Sequence, residues 1–312
     1  MKEKIVIGTR ASKLALWQAH HIADCLRQEY PKLKVEIKHI TTTGDKILDV
    51  ALAKIGGKGL FTKELETEML AGDIDIAVHS LKDMPTVLPI GLVLAAITKR
   101  ADPGDAVVSP RYKTIDKLPF GAKVGTSSLR RRAQLLAVRP DLDIHDLRGN
   151  VGTRLEKMDK ENFAAIILAA AGLKRLGLTD LITEVLSTEI CLPAVGQGAL
   201  AIESRAEDRE VLELLAFLND KVTADAANAE RAFLKTVEGG CQVPVGVYAT
   251  ADGDKLNVRA LIATIDGKTV LKDQISGSRS DAAQLGETLA ERMLAAGGKK
   301  IMVELGCMAA DK

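Results

Sequence analysis

Short apolar runs alternate with helix-period segments through the first two thirds of the chain, and this alternation restricts the fold more than any other feature. Residues 4–8 (KIVIG) read as a buried strand. A helix opening near Ser12 follows, with Leu14, Trp17, Cys25 and Leu26 on one 3.6-period stripe. Residues 35–40, 75–79 and 92–97 are further strand candidates, and a helix is expected over 62–70. Strands separated by helices need crossover connections, which predicts largely parallel sheets covered on both faces.

The stretch KRADPGDAVVSP over 99–110, with two prolines, a glycine and several charges, reads as a domain boundary. A fresh strand and helix, AKVGT then SSLRRRAQLLAV, follow it, and DIHDL, a helix over 151–160, FAAIILAAAGLKRLG and CLPAVGQGALAIE continue the alternation. Past Asn219 the pattern changes to a helix over 223–236, three strand-like runs (VGVYAT, LNVRALIAT, VLKDQISG) and a helix over 280–296. The Asp-Gly pairs in ADGDK and IDGK favour tight hairpins, so that sheet should be antiparallel. A chain of 312 residues exceeds what one core usually organises. The expected division is a first α/β domain over 1–98 and 199–217, a second over 104–193, and a small C-terminal α+β domain over 221–312.

Composition narrows the function classes. The N-terminus (MKEKIVIG) lacks the apolar run of a signal peptide, and no stretch reaches the roughly 18 uncharged apolar residues of a membrane span, so a cytoplasmic protein is expected. Cys25, Cys191, Cys241 and Cys307 form no C-x-x-C pair and have no histidine at metal spacing, which argues against a metal site and a disulfide framework. The net charge of +1 argues against non-specific nucleic-acid binding. Between Gly121 and Arg175, however, eleven Lys and Arg stand against six Asp and Glu, a balance suited to a small polyanionic ligand.

Several motifs fall where predicted strands end. His79-Ser80-Leu81-Lys82-Asp83-Met84-Pro85 puts a hydroxyl, an ammonium and a carboxylate at the C-terminal end of a strand, where open α/β sheets bind ligands, although a solvated turn closed by proline has the same look. Gly125-Thr126-Ser127-Ser128-Leu129-Arg130-Arg131-Arg132 leaves a strand and enters a helix, converging N–H groups, hydroxyls and guanidiniums. An N-capped helix with a solvated basic face fits the same letters. Arg148-Gly149-Asn150-Val151-Gly152-Thr153-Arg154 repeats the design, Arg175 adds a cation, and together these positions could line one cleft. Arg139, outside these motifs, reads as a surface charge.

Gly196-Gln197-Gly198-Ala199-Leu200-Ala201 spells G-x-G-x-x-A, but a strand rather than a helix should follow, which excludes a dinucleotide site. Gly56-Gly57-Lys58-Gly59 is no P-loop, since glycine follows the lysine. Gly239-Gly240-Cys241-Gln242-Val243-Pro244 sets one cysteine in a turn; cysteine is usually an inert buried residue, and the Gly- and Pro-rich context weakens that reading.

In order along the chain, GTRASKLALWQA, GGKGLFTKELE, HSLKDMP, GTSSLRRRAQL, DLRGNVGTRL, LPAVGQGALAIE and EGGCQVPVG closely resemble the porphobilinogen deaminase family, from Ile5 to about Gly298. Only the tail after Gly306 departs from it. The resemblance implies three domains, the first two similar to the lobes of type II periplasmic binding proteins. It implies a dipyrromethane cofactor joined to Cys241 by a thioether and extended by porphobilinogen units, with hydroxymethylbilane released by hydrolysis. It makes Asp83 the catalytic acid that assists loss of ammonia. It assigns Arg10, Ser12, Lys58, Ser80, Lys82, Asp83, Thr126, Ser127, Ser128, Arg130, Arg131, Arg148, Arg154, Arg175 and Gln197 to cofactor or substrate side chains. Each pyrrole bears an acetate and a propionate, so a growing chain accumulates carboxylates that suit guanidinium forks. No metal, no nucleic acid and no membrane partner are expected, and the protein should be a monomer. A non-catalytic solute-binding protein would use a similar arginine-lined cleft but ordinarily carries an export signal, and a ligand-sensing regulator would need a DNA-binding module for which neither terminus has room.

Overall fold

The computed structural model describes residues 2–43, 62–238 and 243–309; Lys58 and Cys241 lie outside the described residues. The chain divides into two compact units, Met1–Arg100 with Ala199–Ala224, and Ala101–Gly198 with Asp225–Lys312.

In the first unit β1 (Lys4–Thr9), β2 (Lys34–His39) and β3 (Ile76–Ser80) run parallel, β1 between the other two, and β4 (Leu92–Ile97) follows. The second unit opens with β5 (Asp105–Val108), then β6 (Lys123–Gly125), β7 (Asp143–His145), β8 (Ala165–Ala169) and the short β9 (Glu184–Val185). The chain then returns to the first unit as β10 (Leu200–Arg205), which inserts between β3 and β4, antiparallel to both. The resulting orders, β2-β1-β3-β10-β4 and β7-β6-β8-β5-β9, are the same arrangement twice. In each, three parallel strands meet one antiparallel strand, and a fifth closes the edge. The expectation of largely parallel sheets therefore holds for the three wound strands and misses the antiparallel insert. One of those inserts, β5, lies inside the stretch read as a boundary. Its four residues are buried, but they are too few to stand out beside Pro103 and Gly104.

The two sheets turn into their first helices in the same way. Gly8-Thr9-Arg10 and Gly125-Thr126-Ser127 follow β1 and β6, and Ser12 and Ser128 cap helices Lys13–Glu29 and Leu129–Val138 by accepting the N–H of Ala15 and of Arg131. Glycine is needed at both turns because the strand ends are packed from the side. A Cβ at Gly8 would come 2.4 Å from Ile74 Cδ1, and one at Gly125 2.9 Å from Leu147 Cδ2. The buried face of Lys13–Glu29 is Gln18, Ala19, Ile22, Ala23 and Leu26. The expected stripe is thus rotated: Leu14, Trp17 and Cys25 are only half-buried. The cause is Gln18, a polar residue on the inner face that hydropathy assigns to solvent.

A third sheet, β11 (Val245–Asp252), β12 (Lys255–Ala263) and β13 (Val270–Ser278), is antiparallel throughout, and the pair Asp252 and Lys255 closes a two-residue turn at the expected Asp-Gly site. Helices Lys221–Thr236 and Ala282–Met293 supply Phe233, Leu289 and Met293 to a core shared with Val247, Leu256 and Val258. A further helix, Lys299–Glu304, adds Ile301 and Met302. Two doubly wound sheets and a small C-terminal α+β part with an antiparallel sheet are the fold class the sequence implied.

Arg139 is a correction. Its guanidinium binds both carboxylate oxygens of Asp141 at 2.8 Å and the carbonyls of Ile115 and Leu118 at 2.8 and 3.1 Å, so it ties a loop together rather than dangling in solvent.

Candidate active site at the strand ends

At the C-terminal ends of β1 and β3 lies a hollow lined in part by Arg10, Ser12, Gln18, His79, Ser80 and Asp83. It is built by two local devices. The Ser12 cap starts the helix that carries Gln18, and Gln18 Nε2 donates to Ser80 Oγ at 2.7 Å, fixing the last residue of β3. Beyond Ser80 the backbone makes a single 3-10 turn, Leu81–Asp83, with Met84 N–H donating to the Leu81 carbonyl at 3.1 Å. Leu81 and Met84 are buried anchors, which leaves Asp83 exposed at the rim and Lys82 half-buried beside it. An exposed carboxylate held on a short rigid turn can give up or accept a proton and can sit against a developing positive charge.

The second sheet presents different chemistry at the same strand ends. Thr126 is buried, its N–H donating to the His145 carbonyl at 2.9 Å and its Oγ1 accepting from Ser128 N–H at 3.2 Å; Ser127 Oγ donates to the Leu147 carbonyl at 2.9 Å. Asn150 caps helix Val151–Lys160, and neither this helix nor Leu129–Val138 has an acid in its first turn. Both positive helix ends are therefore left to attract an anion. Arg148 is half-buried in the adjoining loop. Arg154 Nε donates to the Gly149 carbonyl at 2.8 Å, and Arg175 donates to the Gly198 carbonyl at 2.6 Å. Burial lowers the pKa of Arg175, the mark of a cation held out of water.

Arg130 and Arg131 have a partner that sequence reading missed. Arg130 donates to Asp105 Oδ2 at 2.7 Å and to the Leu192 carbonyl at 2.6 Å, while Arg131 Nε donates to Asp105 Oδ1 at 2.8 Å and its Nη1 to the Ile167 carbonyl at 3.0 Å. Burial alone would raise the Asp105 pKa, but the two guanidiniums hold its carboxyl well below the usual carboxylate range. Gln197 joins the cluster, its Nε2 donating to the Pro103 carbonyl at 2.6 Å and to Asp105 Oδ1 at 3.0 Å. The available signal was an acid at the head of the apolar run DAVV, which a buried strand tolerates only with a counter-charge. Cys191 Sγ donates to Asp105 Oδ2 at 3.2 Å, and burial, then the Asp105 charge, push its thiol up to about 12.

An acid-bearing hollow on one α/β sheet offers a group for proton transfer, and a set of strand ends on another offers sites for anions. The sequence model described as "Porphobilinogen deaminase, dipyromethane cofactor binding domain" matches residues 5–213, and that described as "Porphobilinogen deaminase, C-terminal domain" matches residues 224–295. The chain is 54% identical over 303 residues to the porphobilinogen deaminase of Trichlorobacter lovleyi, covering 97% of each chain. It is 53% identical over 302 residues to that of Geobacter sulfurreducens, covering 97% of this chain and 95% of the relative. Among solved structures, the methionine binding protein MetQ is similar at 16% identity and a TM-score of 0.45, covering 69% of this chain and 89% of that one. The chain belongs to the porphobilinogen deaminase family.

The residues present fit the dipyrromethane cofactor of that family. Its pyrrole carboxylates need cations and N–H donors, and the second sheet supplies helix ends without acids together with Arg148, Arg154 and Arg175. Among the described residues, Gln197 Oε1 is buried without a hydrogen-bond partner, an acceptor suited to a pyrrole N–H. No helix among the described residues is long and apolar enough to cross a membrane, and no cluster of three His, Cys, Asp or Glu there could hold a metal ion.

Proposed function

We propose that this chain performs the activity of its family, stepwise condensation of porphobilinogen with release of ammonia and hydrolysis to hydroxymethylbilane, with Asp83 as the catalytic acid and Cys241 as the cofactor attachment point. The observation that carries the reading is Asp83 itself: an exposed carboxylate on a rigid turn, at the mouth of a hollow that also offers Arg10, Ser12 and Ser80. When bound, the dipyrromethane would supply the free pyrrole carbon to which the first ring is joined, each later ring being joined to the one before it. The residues of the chain bind, orient and move protons. Asp83 protonates the departing amine of porphobilinogen and then, as carboxylate, stabilises the positive charge left on the substrate pyrrole. Arg10, Ser12, Ser80 and Lys82 take the acetate and propionate of the incoming ring. Thr126, Ser127, Ser128, Arg148, Arg154 and Arg175 take those of the rings already joined, and Gln197 offers its Oε1 to a pyrrole N–H; Lys58 is assigned to the carboxylate-binding set on its motif alone.

Arg130 and Arg131 contribute through their pairing with Asp105, offering any remaining N–H to a carboxylate while holding Gln197 in place.

Chemistry also supports Cys241 over the other cysteines. Burial raises the thiol pKa of Cys25, Cys191 and Cys307, which suppresses the reactive thiolate in each. The domain division 1–98 with 199–217, 104–193 and 221–312 is proposed on the three separate sheets, although the second and third parts share a core cluster of Ala133, Leu192, Leu261 and Ala263. We further propose a cytoplasmic monomer acting on a small molecule.

The test is intact mass followed by peptide mapping of the native protein. A two-pyrrole adduct on the peptide containing Cys241, absent from Cys241→Ser, is expected. An adduct on Cys191, or one that survives in Cys241→Ser, would refute the attachment.

A further inference from the structure

Gly196-Gln197-Gly198, which is no nucleotide motif, is a turn in the second unit that outside groups hold at each residue. Gly196 and Gly198 take φ of +69° and +95°, the left-handed region that favours glycine. Gln197 N–H donates to the Ala194 carbonyl at 2.9 Å, and the Gly198 carbonyl accepts from Arg175 at 2.6 Å and from Ala101 N–H at 3.2 Å. The Gln197 amide nitrogen spends its two hydrogens on the Pro103 carbonyl and Asp105 Oδ1. Turning the amide over would set its oxygen against that carbonyl and that carboxylate. Oε1 is therefore the end left over, buried and without a hydrogen-bond partner among the described residues.

Gly196 is held by a residue that the proposed chemistry does not use. Glu230, fully buried on helix Lys221–Thr236, accepts the Gly196 N–H on Oε2 at 2.7 Å and the Ala249 N–H on Oε1 at 2.9 Å. β11 is an edge strand, and Val247 and Ala249 turn their N–H groups away from β12; the Pro193 carbonyl accepts the first at 3.3 Å and Glu230 the second. Val195, next to Gly196, packs in one core with Phe233 and Ala249. One carboxylate thus joins three segments: the turn that presents Gln197, the helix that precedes Cys241 in sequence, and the strand that follows it. A carboxylate suits the place because both its oxygens accept, whereas an amide must point a donor at one of the two N–H groups. β11 is fixed by eight residue pairs with β12, so when one of the two bonds is lost the short turn is the part that shifts.

Taking Gln197 as a cofactor-binding residue, as proposed above, we infer that Glu230 is a positioning residue for the cofactor, fixing Gln197 Oε1 relative to the two elements that bracket Cys241. A group joined at Cys241 and an acceptor at Gln197 then keep one spacing as rings are added. Glu230 itself meets no substrate and acts through Gln197.

The experiment is a double-mutant cycle on the full-length chain with Glu230→Gln, Gln197→Met and the double variant, read by intact mass for cofactor and by kcat and KM per loaded chain. Each single variant should lower kcat about 10-fold, the order of one lost buried hydrogen bond, with KM changed less than about 2-fold because the incoming ring is assigned to the hollow of the first sheet. The double variant should be no slower than the slower single one, since Glu230 has nothing to position once the Gln197 amide is gone. The share of purified chains carrying the two-pyrrole mass should fall in the same pattern. A purely structural Glu230 gives a different result, either losses that multiply to about 100-fold or reduced stability with normal loading and kcat, and each of these overturns the inference. A Glu230→Gln effect confined to KM overturns it as well. If Glu230→Gln does not fold, Glu230→Asp, which keeps the carboxylate and shortens its reach, takes its place in the cycle. Gln197→Met with normal loading and kcat defeats the assignment of Gln197, whereas a slow Gln197→Met with a multiplying Glu230 effect defeats only the role of Glu230.

Discussion

The first and second sheets share a strand order and a Gly-Thr turn into a Ser-capped helix, yet their strand ends carry opposite chemistry. In the first, an exposed acid, Asp83, stands on the turn after β3, and the buried His79 of that strand pairs with Glu203 of β10. In the second, a buried acid, Asp105, neutralises Arg130 and Arg131, while helix ends without acids and the half-buried Arg148, Arg154 and Arg175 stand at the strand ends. The frame determines where loops can meet a ligand, since strand ends in a wound sheet are the backbone edges left uncovered. The side chains at those ends determine the sign of charge they favour.

The sharpest test of that contrast is Asp83→Asn. If the first sheet works by its carboxylate, the amide should leave folding and cofactor mass intact and slow product formation by roughly 10²–10⁴-fold in single-turnover assays. Near-normal rates in the loaded variant would make the two sheets chemically alike, both serving only to bind.

Asp105→Asn addresses the other half. It leaves two buried guanidiniums without a counter-charge and should cost about 3–5 kcal/mol of stability in denaturant titration at neutral pH. Because the native Asp105 pKa is depressed, its contribution is present above the unfolded value of about 3.9 and is lost as pH falls toward the native one. Wild type should therefore destabilise below pH ~4 more steeply than the variant. Equal stability at pH 7 would mean that both arginines are free to serve ligand alone.

A smaller effect is expected where the third sheet meets the arginine-bearing helix. Gly267, at φ +70° in the loop after β12, would bring a Cβ 2.5 Å from the Ala133 carbonyl and 2.6 Å from Ala137 N. Gly267→Ala should lower stability by ~1–3 kcal/mol from strain and overpacking together. A neutral thermal midpoint would show that the hairpin does not dock on that helix.

Smallest is the comparison of two arginines in the basic segment. Arg139→Leu loses a bidentate partner and two carbonyls and should cost about 1–2 kcal/mol, whereas Arg132→Leu should stay within about 0.5 kcal/mol. Urea midpoints for the pair rank them directly.

The sequence by itself determined most of the elements and the location of the candidate site. Serine before a helical period, glycine after a strand and Asp-Gly between strand runs are local signals, and the caps at Ser12 and Ser128 and the turn between β11 and β12 formed where those letters stand. The ordered motifs likewise placed Asp83, Ser80 and Arg10 at strand ends, because a motif after a strand has nowhere else to go in a wound sheet. Partnership across long separations was decided by the tertiary structure. Asp105 meets Arg130 and Arg131 about 25 residues away, Glu203 meets His79 across 124 residues, and β10 returns to split β3 from β4. Gln18 faces inward because Ser80 is there to accept its hydrogen bond. A buried polar group is stable only with a partner, and no local pattern of hydropathy records where that partner will be found.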